Sequence, residues 1–454
     1  MNTDLPVVVI GAGPVGLAAA AHLAERGLPF LVLEAGDRPA AAIREWGHVR
    51  LFSPWRYNID AAARRLLLDA GWVEPDPDVL PTGAQLADEY LQPLADLPAF
   101  KPHVRYNARV EAVTRLGLDR VRTAGRDSAP FLVRTGDEDI LARAVIDASG
   151  TWTIPNVLGA SGIPARGEAA AAGFVESALP DVLGTDRPRF AARRTVVVGA
   201  GHSAANTLLS LAELARQVPG TSVVWAIRAT SPARTYGGES ADALPARGAI
   251  GALLRAHVEA GTIELVTGFS VQSITVAGAR VQLSDGVTTL SADRVVSATG
   301  FRPDHGIVSE LRLDLDPILG STRALAPLID PNVHSCGTVP PHGVDELTHP
   351  EPGYYAIGVK SYGRAPTFLL ATGYEQARSV VAALDGDWDA ARDVQLDLPE
   401  SGVCSSNIPV DATTINGASC CGATGIPGGL QSAPLTLLPV TQANHEQPSG
   451  GCCG

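Results

Sequence analysis

The first pattern along the chain is a short apolar run, followed by three spaced glycines and an alanine-rich segment. Residues 7–34 read VVVIGAGPVGLAAAAHLAERGLPFLVLE. The first apolar run predicts a buried strand, the alanine-rich segment a helix, and the last residues a second strand. A strand, glycine turn, helix and strand in this order are typical of a unit that holds a dinucleotide.

Each glycine of this motif has its own mechanical reason. Gly11 permits the tight turn, Gly13 lets the backbone approach a pyrophosphate, and Gly16 lets the helix pack close to the strand. The helix N-terminus then points its free N–H groups at the phosphates. Glu34 ends the second strand, where its carboxylate accepts hydrogen bonds from a ribose hydroxyl. An ordinary glycine turn is the alternative, but it does not require an acid at this position.

The same pattern recurs at residues 195–207, TVVVGAGHSAANT. Gly199, Gly201 and Ala204 take the three glycine positions, and Ser203 lies in the same turn. We therefore expect Gly199, Gly201 and Ser203 to contact a second dinucleotide.

The strand that closes the second unit is SVVWAIR at 222–228, so Arg228 stands where the first unit has Glu34. A guanidinium can bind a ribose 2′-phosphate through two hydrogen bonds, whereas a carboxylate repels it. If this contact contributes roughly 1.5 to 3 kcal/mol, NADPH is favoured over NADH by about ten- to a hundredfold. Arg234 is a second candidate for the phosphate, and a solvated surface arginine is the alternative for both.

Two further stretches share one design, an apolar strand followed by small residues. VIDASGTW at 145–152 contains Ser149 and Gly150, and VVSATGFRPD at 295–304 contains Thr299 and Gly300. Small residues are needed where the chain crosses between two dinucleotide-binding units close to a cofactor. We include all four residues among the cofactor-binding candidates.

Taken in order, these motifs resemble the flavoproteins with two dinucleotide-binding domains, which include flavin-containing monooxygenases, Baeyer–Villiger enzymes and thioredoxin reductases. The resemblance implies FAD at the first motif, NADPH at the second, and the backbone of Val110 against the adenine. It also implies an α/β fold of two Rossmann-like domains, with the second inserted in the first. On this basis, residues 1–154 and 291–386 form the FAD-binding domain, and residues 155–290 form the NADPH-binding domain.

Periodicity predicts several further elements. Residues 57–71 and 82–97 have helical spacing, residues 104–116 are strand-like, and a helix is expected to begin near Pro366 or Thr372. Residues 387–454 are rich in Gly, Ser, Pro and Thr, which predicts a flexible tail.

Three kinds of flavin chemistry place different demands on this sequence. Disulfide reductases of this architecture need a cysteine pair facing the flavin, but the first cysteine of the chain is Cys336. A monooxygenase needs a water-excluding pocket, in which reduced FAD and O2 form a flavin hydroperoxide that oxidises a small substrate. A simple NADPH-driven reductase passes its electrons to an external acceptor.

Residues 46–60 and 356–376 resemble flavin-binding monooxygenases encoded in arsenic-resistance operons. By contrast, residues 151–195 contain no histidine, so the histidine-containing signature of flavin-containing and Baeyer–Villiger monooxygenases is missing before the second glycine motif. The leading hypothesis is an FAD- and NADPH-dependent monooxygenase linked to arsenic resistance. The alternatives are an NADPH-driven flavin reductase and a thiol-based protein that binds or delivers a metalloid through its C-terminal cysteine pairs.

The same two stretches supply candidates for a substrate pocket. Arg50 and Lys360 are candidates for stabilising negative charge on flavin or substrate, and His48 is a third catalytic candidate. Other aromatic or cationic residues lie nearby in the sequence: Trp46, Trp55, Arg56, Tyr362 and Arg364. The alternative is that the tryptophans belong to the core and the cations pair with carboxylates.

Composition limits which binding partners and which cellular compartment are expected for this protein. The net charge of −13 argues against a nucleic-acid or anionic-membrane partner. The chain shows no secretory signal and no apolar stretch of roughly 18 residues, so a cytoplasmic protein is expected. The sequence does not decide between a monomer and a homodimer.

The tail contains five of the six cysteines. Adjacent Cα atoms lie about 3.8 Å apart, below the roughly 4.4 Å minimum usual for a disulfide, so neighbouring cysteines are expected as free thiols. Two adjacent thiolates suit a soft ion such as trivalent arsenic, which makes ligand candidates of Cys420, Cys421, Cys452 and Cys453. The alternatives are a redox tail that accepts electrons from the flavin and a tail with incidental cysteines.

Overall fold

The computed structural model describes residues 4–237, 244–333, 339–366 and 368–396 of the 454-residue chain. The cysteines proposed as metal ligands, Cys420, Cys421, Cys452 and Cys453, lie outside these residues. Residues 397–454 of the predicted flexible tail lie outside them as well. The predicted start of the tail at residue 387 is wrong, because Trp388–Arg392 form a helix.

The first sheet has five parallel strands in the order β16-β7-β1-β2-β3. Their bounds are β1 Val7–Ile10, β2 Phe30–Leu33, β3 Val104–Arg105, β7 Ala144–Asp147 and β16 Tyr354–Ala356. Every residue of β1, β2 and β7 is buried, as expected for a parallel sheet covered on both faces. Because β16 joins from far along the chain, this unit is split in sequence.

The second sheet also has five parallel strands, in the order β11-β10-β9-β15-β8. Their bounds are β8 Val175–Glu176, β9 Arg194–Val198, β10 Ser222–Ala226, β11 Ile263–Val266 and β15 Arg294–Ser297. These strands all lie between β7 and β16, so the second unit is inserted in the first.

Each parallel sheet is accompanied by a three-stranded antiparallel sheet. The strands of the first are β4 Ala112–Arg115, β5 Phe131–Thr135 and β6 Glu138–Ala142, and those of the second are β12 Ser273–Ala277, β13 Arg280–Ser284 and β14 Thr289–Ala292.

The helices of the described residues range from single turns to four turns. Their bounds are α1 Pro14–Glu25, α2 Ala41–Glu45, α3 Ala61–Asp69, α4 Gly83–Gln85, α5 Gln92–Asp96, α6 Arg187–Phe190, α7 His202–Gln217, α8 Ala233–Tyr236, α9 Pro245–Glu259, α10 Ala326–Ile329, α11 Val344–Leu347, α12 Leu370–Leu384 and α13 Trp388–Arg392. A π-helical stretch, Leu86–Leu91, joins α4 to α5. None of these helices is long and apolar enough to cross a membrane.

The alanine-rich face of α1 packs along α12 in the largest core cluster. Small side chains let the two helix backbones approach closely: a Cβ added at Gly373 of α12 would meet Val15 Cγ2 at 2.6 Å. This contact brings the N-terminal half of α1 next to the first turns of α12.

The predicted fold class is confirmed: the chain is an α/β protein with two Rossmann-like units, the second inserted in the first. The helix predicted near Pro366 or Thr372 begins between them, at Leu370. The domain boundaries stay a prediction. Because β15 pairs with β9 and β8, we propose moving the boundary at residue 290 to a point after Ser297.

Candidate functional site

The first glycine turn joins β1 to α1 and lies against the end of β7. Gly11 has a φ of +99°, and a Cβ there would meet the Ala148 carbonyl oxygen at 2.9 Å. At Gly16, a Cβ would lie only 1.9 Å from the Gly11 carbonyl oxygen. A Cβ at Gly13 would meet no atom of the described residues within 4 Å, apart from its immediate chain neighbours. The turn is therefore tightly packed at Gly11 and Gly16 and open at Gly13, which is where a pyrophosphate is expected.

The start of α1 offers backbone N–H groups at this opening. Gly13 is the N-cap residue, Pro14 occupies the first turn, and no side chain caps the helix. The first N–H groups of a helix have no partner within the helix, and they carry the positive end of its dipole. The open glycine and the uncapped N-terminus together fit a bound phosphate group.

Glu34 lies beside this turn, as predicted from its place after β2. Its carboxylate accepts hydrogen bonds from the N–H of Ala12 at 2.7 Å and the N–H of Gly36 at 2.8 Å. A carboxylate has about four acceptor sites, so capacity remains for a ribose hydroxyl. Val110 is buried in the cluster that contains Ile10 and Leu33, near the same strand ends.

The second glycine turn repeats the arrangement between β9 and α7. A Cβ at Gly199, where φ is +140°, would meet the Ala298 carbonyl oxygen at 2.1 Å, but one at Gly201 would meet nothing within 4 Å. Gly201 is the N-cap of α7, which has no side-chain cap. Ser203 lies in the first turn of α7 and is partly buried. This turn fits a second pyrophosphate for the same reasons as the first.

Arg228 lies just beyond β10 and is exposed. Its Nη1 donates a hydrogen bond to the Ala160 carbonyl oxygen at 3.1 Å, and a guanidinium has five N–H donors. Arg234 is also exposed and donates from Nη2 to the Pro331 carbonyl oxygen at 3.2 Å. Both arginines keep donors that a phosphate could use.

Two segments cross between the parallel sheets: one follows β7 and contains Ser149 and Gly150, and the other follows β15 and contains Thr299 and Gly300. These two crossings are hydrogen-bonded to each other, and Asn156 makes most of the bonds. Its side-chain Nδ2 donates to the Thr299 carbonyl oxygen at 2.9 Å, and its backbone N–H donates to the Gly300 carbonyl oxygen at 2.8 Å. Its Oδ1 accepts from Arg302 Nε at 2.5 Å, and its carbonyl oxygen accepts from Thr299 Oγ1 at 2.9 Å. Thr299 and Gly300 are thereby fixed relative to the first crossing.

Three aromatic rings lie next to the crossings. The Trp152 ring centroid is 4.7 Å from that of Phe301 and 6.4 Å from that of Trp46. The indole Nε1 of Trp152 donates to Glu45 Oε2 at 2.7 Å. The stack therefore joins the loop after α2 to both crossings.

Lys360 lies in a different place from the one predicted. Its side chain is fully buried, and Nζ donates to Asp147 Oδ2 at 2.6 Å and to Ser149 Oγ at 3.0 Å. This geometry argues against the predicted role, because the charge that was to hold a substrate or flavin anion is paired inside the protein. The Ser149 hydroxyl points inward too and donates to Asp147 Oδ1 at 2.7 Å. Gly150, with a φ of +72°, follows directly.

The other predicted pocket residues lie in surroundings that differ from that of Lys360. His48 and Arg50 are exposed, and Arg50 Nη1 donates to the Leu80 carbonyl oxygen at 2.5 Å. Their catalytic roles stay predictions. Trp55 is a core residue, and Arg56 pairs with Asp78 at 2.6 Å, which agrees with the alternative of core tryptophans and paired cations. Tyr362 is buried in the core as well.

Two residues that hold the crossings in place, Asp147 and Asn156, are not among the site residues predicted from the sequence. Asp147 was readable in principle, because it is the charged residue that ends the apolar run AVID. Asn156 had no such signal, because an asparagine after a proline is an ordinary loop sequence.

Among residues 4–237, 244–333, 339–366 and 368–396, no group of three or more His, Cys, Asp or Glu side chains is placed to hold a metal ion.

Comparisons with known proteins agree with this geometry. The family model of pyridine nucleotide-disulphide oxidoreductases matches residues 8–318. A ferredoxin–NADP reductase from Ralstonia pickettii is 27% identical over 322 residues, which are 67% of this chain and 74% of that protein.

Solved structures support the same fold. The bacillithiol disulfide reductase Bdr (YpdA) from Bacillus cereus matches with a TM-score of 0.62 and 20% identity, over 84% of this chain and 99% of that chain. The FAD-bound cadaverine monooxygenase DfoA from Erwinia amylovora matches with a TM-score of 0.58 and 15% identity, over 87% and 97%. At these identities the likeness concerns the fold alone.

The family match covers both glycine turns, both crossings and Asn156, which bonds the crossings to each other. The predicted cofactors, FAD and NADPH, agree with those of this family. The chain belongs to the pyridine nucleotide-disulphide oxidoreductase family, a family of flavin- and pyridine nucleotide-dependent oxidoreductases.

Proposed function

We propose that this protein binds FAD at the first glycine turn and NADPH at the second, and uses them to oxidise a small substrate with O2. The observation that carries the proposal is the paired geometry of the two turns. Each has an open glycine at an uncapped helix N-terminus. They differ in the residue after the second strand, which is Glu34 in the first unit and Arg228 in the second.

The residues of the first turn have separate roles in this proposal. Gly13 and the first N–H groups of α1 hold the pyrophosphate of FAD, and Glu34 binds a ribose hydroxyl. The residues of the second turn, Gly201 and Ser203, hold the pyrophosphate of NADPH, and Arg228 binds its 2′-phosphate. A flavin held at this site would supply the redox chemistry that links NADPH to the acceptor.

A monooxygenase is our proposal for the acceptor chemistry. NADPH, a proton, O2 and the substrate give NADP⁺, water and a substrate that carries one oxygen atom. The first 335 residues contain no cysteine, so the flavin-facing cysteine pair that a disulfide reductase needs is missing there. The aromatic stack of Trp46, Trp152 and Phe301 can exclude water from the space beside the crossings. We expect a cytoplasmic enzyme.

The substrate class rests on sequence resemblance alone. Residues 46–60 and 356–376 resemble monooxygenases of arsenic-resistance operons, so trivalent arsenic compounds are the first substrates to test. The tail cysteines offer a separate way to bind trivalent arsenic, and they lie outside the described residues.

A reductase that passes electrons to an external acceptor is the second candidate. The similarity to a ferredoxin–NADP reductase over two thirds of the chain favours it. In such an enzyme, NADPH oxidation depends on an added acceptor, and O2 is reduced only to hydrogen peroxide.

One experiment separates the two candidates. The purified protein is reduced with NADPH without oxygen, and O2 is then added with and without an arsenite or organoarsenical substrate. We expect FAD to be reduced by NADPH and oxygen from ¹⁸O2 to enter the product in proportion to the NADPH consumed. Stoichiometric hydrogen peroxide with no labelled product contradicts the monooxygenase. A protein that is purified without FAD and binds none contradicts both candidates.

The nucleotide assignment is tested by Arg228→Gln, with Arg234→Gln as the matched control. If Arg228 binds the 2′-phosphate, the ratio of kcat/KM for NADPH to that for NADH falls by about ten- to a hundredfold, as expected for loss of roughly 1.5 to 3 kcal/mol. An unchanged ratio in Arg228→Gln with a reduced ratio in Arg234→Gln moves the assignment to Arg234.

A further inference from the structure

The buried pair of Asp147 and Lys360 lies at the carboxyl end of the first sheet. Asp147 is the last residue of β7, and Lys360 lies in the 3₁₀ helix Gly358–Tyr362, directly after β16. Both side chains are fully buried, with 2.6 Å between Nζ and Oδ2. Burying two charges is costly unless further hydrogen bonds complete the pair.

The further hydrogen bonds lead to the first crossing. Asp147 Oδ1 accepts from the Ser149 hydroxyl at 2.7 Å and the Ser149 N–H at 3.1 Å, and Lys360 Nζ donates to the same hydroxyl at 3.0 Å. Tyr354 Oη donates to Asp147 Oδ2 at 3.2 Å. Burial alone would raise the pKa of the Asp147 carboxyl, but the charge of Lys360 and the bonds from Ser149 hold that pKa below its ordinary value.

The backbone held by these bonds forms one wall of the first glycine turn. A Cβ added at Gly11 would meet the Ala148 carbonyl oxygen at 2.9 Å and Ser149 Cα at 3.2 Å. The backbone of Gly11 therefore packs directly against the backbone of Ala148 and Ser149. A shift of the segment from Ala148 to Gly150 would move the glycine turn with it. No ligand needs to touch Lys360 for this effect.

We infer that Lys360 and Asp147 are positioning residues for the dinucleotide site at the first glycine turn, acting through Ser149. This inference rests on the proposed binding of FAD at that turn. It replaces the role predicted for Lys360 as a group that holds an anion directly. The paired charges sum to zero, so the pair fixes geometry and adds no net charge to the site.

A double-mutant cycle tests the inference. Lys360→Met and Asp147→Asn each leave one buried polar or charged group without its partner, whereas the double variant removes both charges. We expect each single variant to lower the midpoint of thermal unfolding, and the double variant to recover much of it. The dissociation constant of FAD, measured by flavin fluorescence on dilution of the holoprotein, should stay raised by ~10-fold or more in the double variant, because Met cannot bond to Ser149.

Ser149→Ala is the second variant, because it leaves the ion pair in place and removes only the hydroxyl that links it to the crossing. We expect the FAD dissociation constant to rise by ~10-fold or more, because the hydroxyl loses its bonds to both Asp147 and Lys360, together with a shifted flavin absorption band. The unfolding midpoint should change little.

Glu351→Gln is the matched control, since it breaks another buried ion pair that joins the same two parts of the chain. Glu351 lies just before β16, at the opposite end of the strand from Lys360. This variant should lower the unfolding midpoint and leave the FAD dissociation constant within ~3-fold of the wild-type value.

The outcomes are distinguishable. Wild-type affinity for FAD in both the double variant and Ser149→Ala overturns the positioning role and leaves the proposed function intact. A rise in the Glu351→Gln dissociation constant equal to that of the double variant also overturns it, since the effect is then one of stability. A wild-type protein that binds no FAD overturns the proposed function and this inference with it.

Discussion

At the scale of single residues, two glycines of one motif have opposite surroundings although they lie three residues apart. Gly13 faces open space, whereas a Cβ on Gly16 would lie 1.9 Å from the Gly11 carbonyl oxygen. The sequence pattern names both as glycines and gives each a role, but the number of atoms around each is a property of the folded turn. The difference between binding and packing can therefore be tested one methyl group at a time.

Gly13→Ala should fold and lose FAD, whereas Gly16→Ala should lose stability. The Gly13 backbone, with φ of −80°, accepts an alanine, so the free energy of unfolding should change by no more than about 1 kcal/mol. Its methyl group enters the space proposed for the pyrophosphate. Gly16→Ala should cost about 3 kcal/mol or more, because backbone atoms cannot move aside. Chemical denaturation and FAD titration of both variants check this, and equal FAD affinity in Gly13→Ala and wild type contradicts it.

The burial of His349 leads us to predict that the folded protein loses stability in mild acid. Burial lowers its pKa to about 4, with His305 acting in the same direction, and its Nδ1 accepts a hydrogen bond from the Asp314 N–H at 3.2 Å. Between pH 6.5 and 4 the unfolded chain therefore binds more protons than the folded chain. The contribution of His349, about 3 kcal/mol, is fully present above pH 6.5 and is lost as the pH falls towards 4.

His349→Asn is the variant that checks this, because its amide oxygen can replace Nδ1 as an acceptor without titrating. The free energy of unfolding, measured by urea denaturation, should fall less between pH 6.5 and 4.5 in this variant than in the wild type. His48→Asn, which replaces an exposed imidazole, is the control and should show the wild-type slope. Equal slopes in all three proteins would contradict the prediction.

At the scale of elements, the two crossings behave as one paired unit. Each was predicted from an apolar strand followed by small residues, and each lies where it was expected, after β7 and β15. Their pairing, through an isolated antiparallel bridge between Pro155 and Phe301 and the bonds of Asn156, was not predicted. Local sequence patterns predict each strand and where it ends. They do not predict which loop, nearly 150 residues away, pairs with the segment that follows.

Asn156→Ala should loosen this unit. It removes the bonds to the Thr299 carbonyl and to Arg302, and the free energy of unfolding should fall by about 1 to 3 kcal/mol. If the crossings set the distance between the two cofactors, flavin reduction at saturating NADPH should slow by ~10-fold. Stopped-flow absorbance measures the rate.

The control for this variant is Asn332→Ala, whose exposed side chain donates to Asp330 Oδ1 within its own turn at 2.9 Å. Asn332→Ala should change neither the free energy of unfolding nor the rate of flavin reduction. A normal rate of flavin reduction in Asn156→Ala would show that the crossings keep their geometry without the Asn156 side chain.

At the scale of the whole molecule, the first unit must be closed by two parts of the chain that lie on either side of the insertion. β16 pairs with β7, and the buried Glu351 pairs with Arg115 at 2.7 Å and Arg126 at 2.8 Å. Tyr374 of α12 donates to the Asn58 carbonyl oxygen at 2.7 Å. The insertion can therefore occupy the middle of the sequence while the first unit remains one packed body.

Glu351→Gln should weaken this closure strongly. It leaves two buried guanidinium groups without their carboxylate, and the free energy of unfolding should fall by about 3 to 5 kcal/mol. Glu310→Gln is the matched control, because Glu310 is exposed and accepts one bond from the Arg120 N–H at 2.9 Å, which a glutamine can keep. Denaturation curves of the two variants should differ by several kcal/mol, and similar curves would contradict the role given to Glu351.

The sequence by itself determined the two glycine turns, the strands and helices around them, and the acid and arginine that distinguish the two sites. These follow from short-range rules, because backbone sterics at a glycine and the periodicity of apolar residues act within a few tens of residues. Only the tertiary structure decided that Lys360 pairs with Asp147, that Asn156 joins the crossings, and that Glu351 is held by two arginines. In each case a buried or partly buried polar group takes its partner from a distant segment. A charged residue in a sequence looks the same whether folding leaves it in water or surrounds it with a counter-ion.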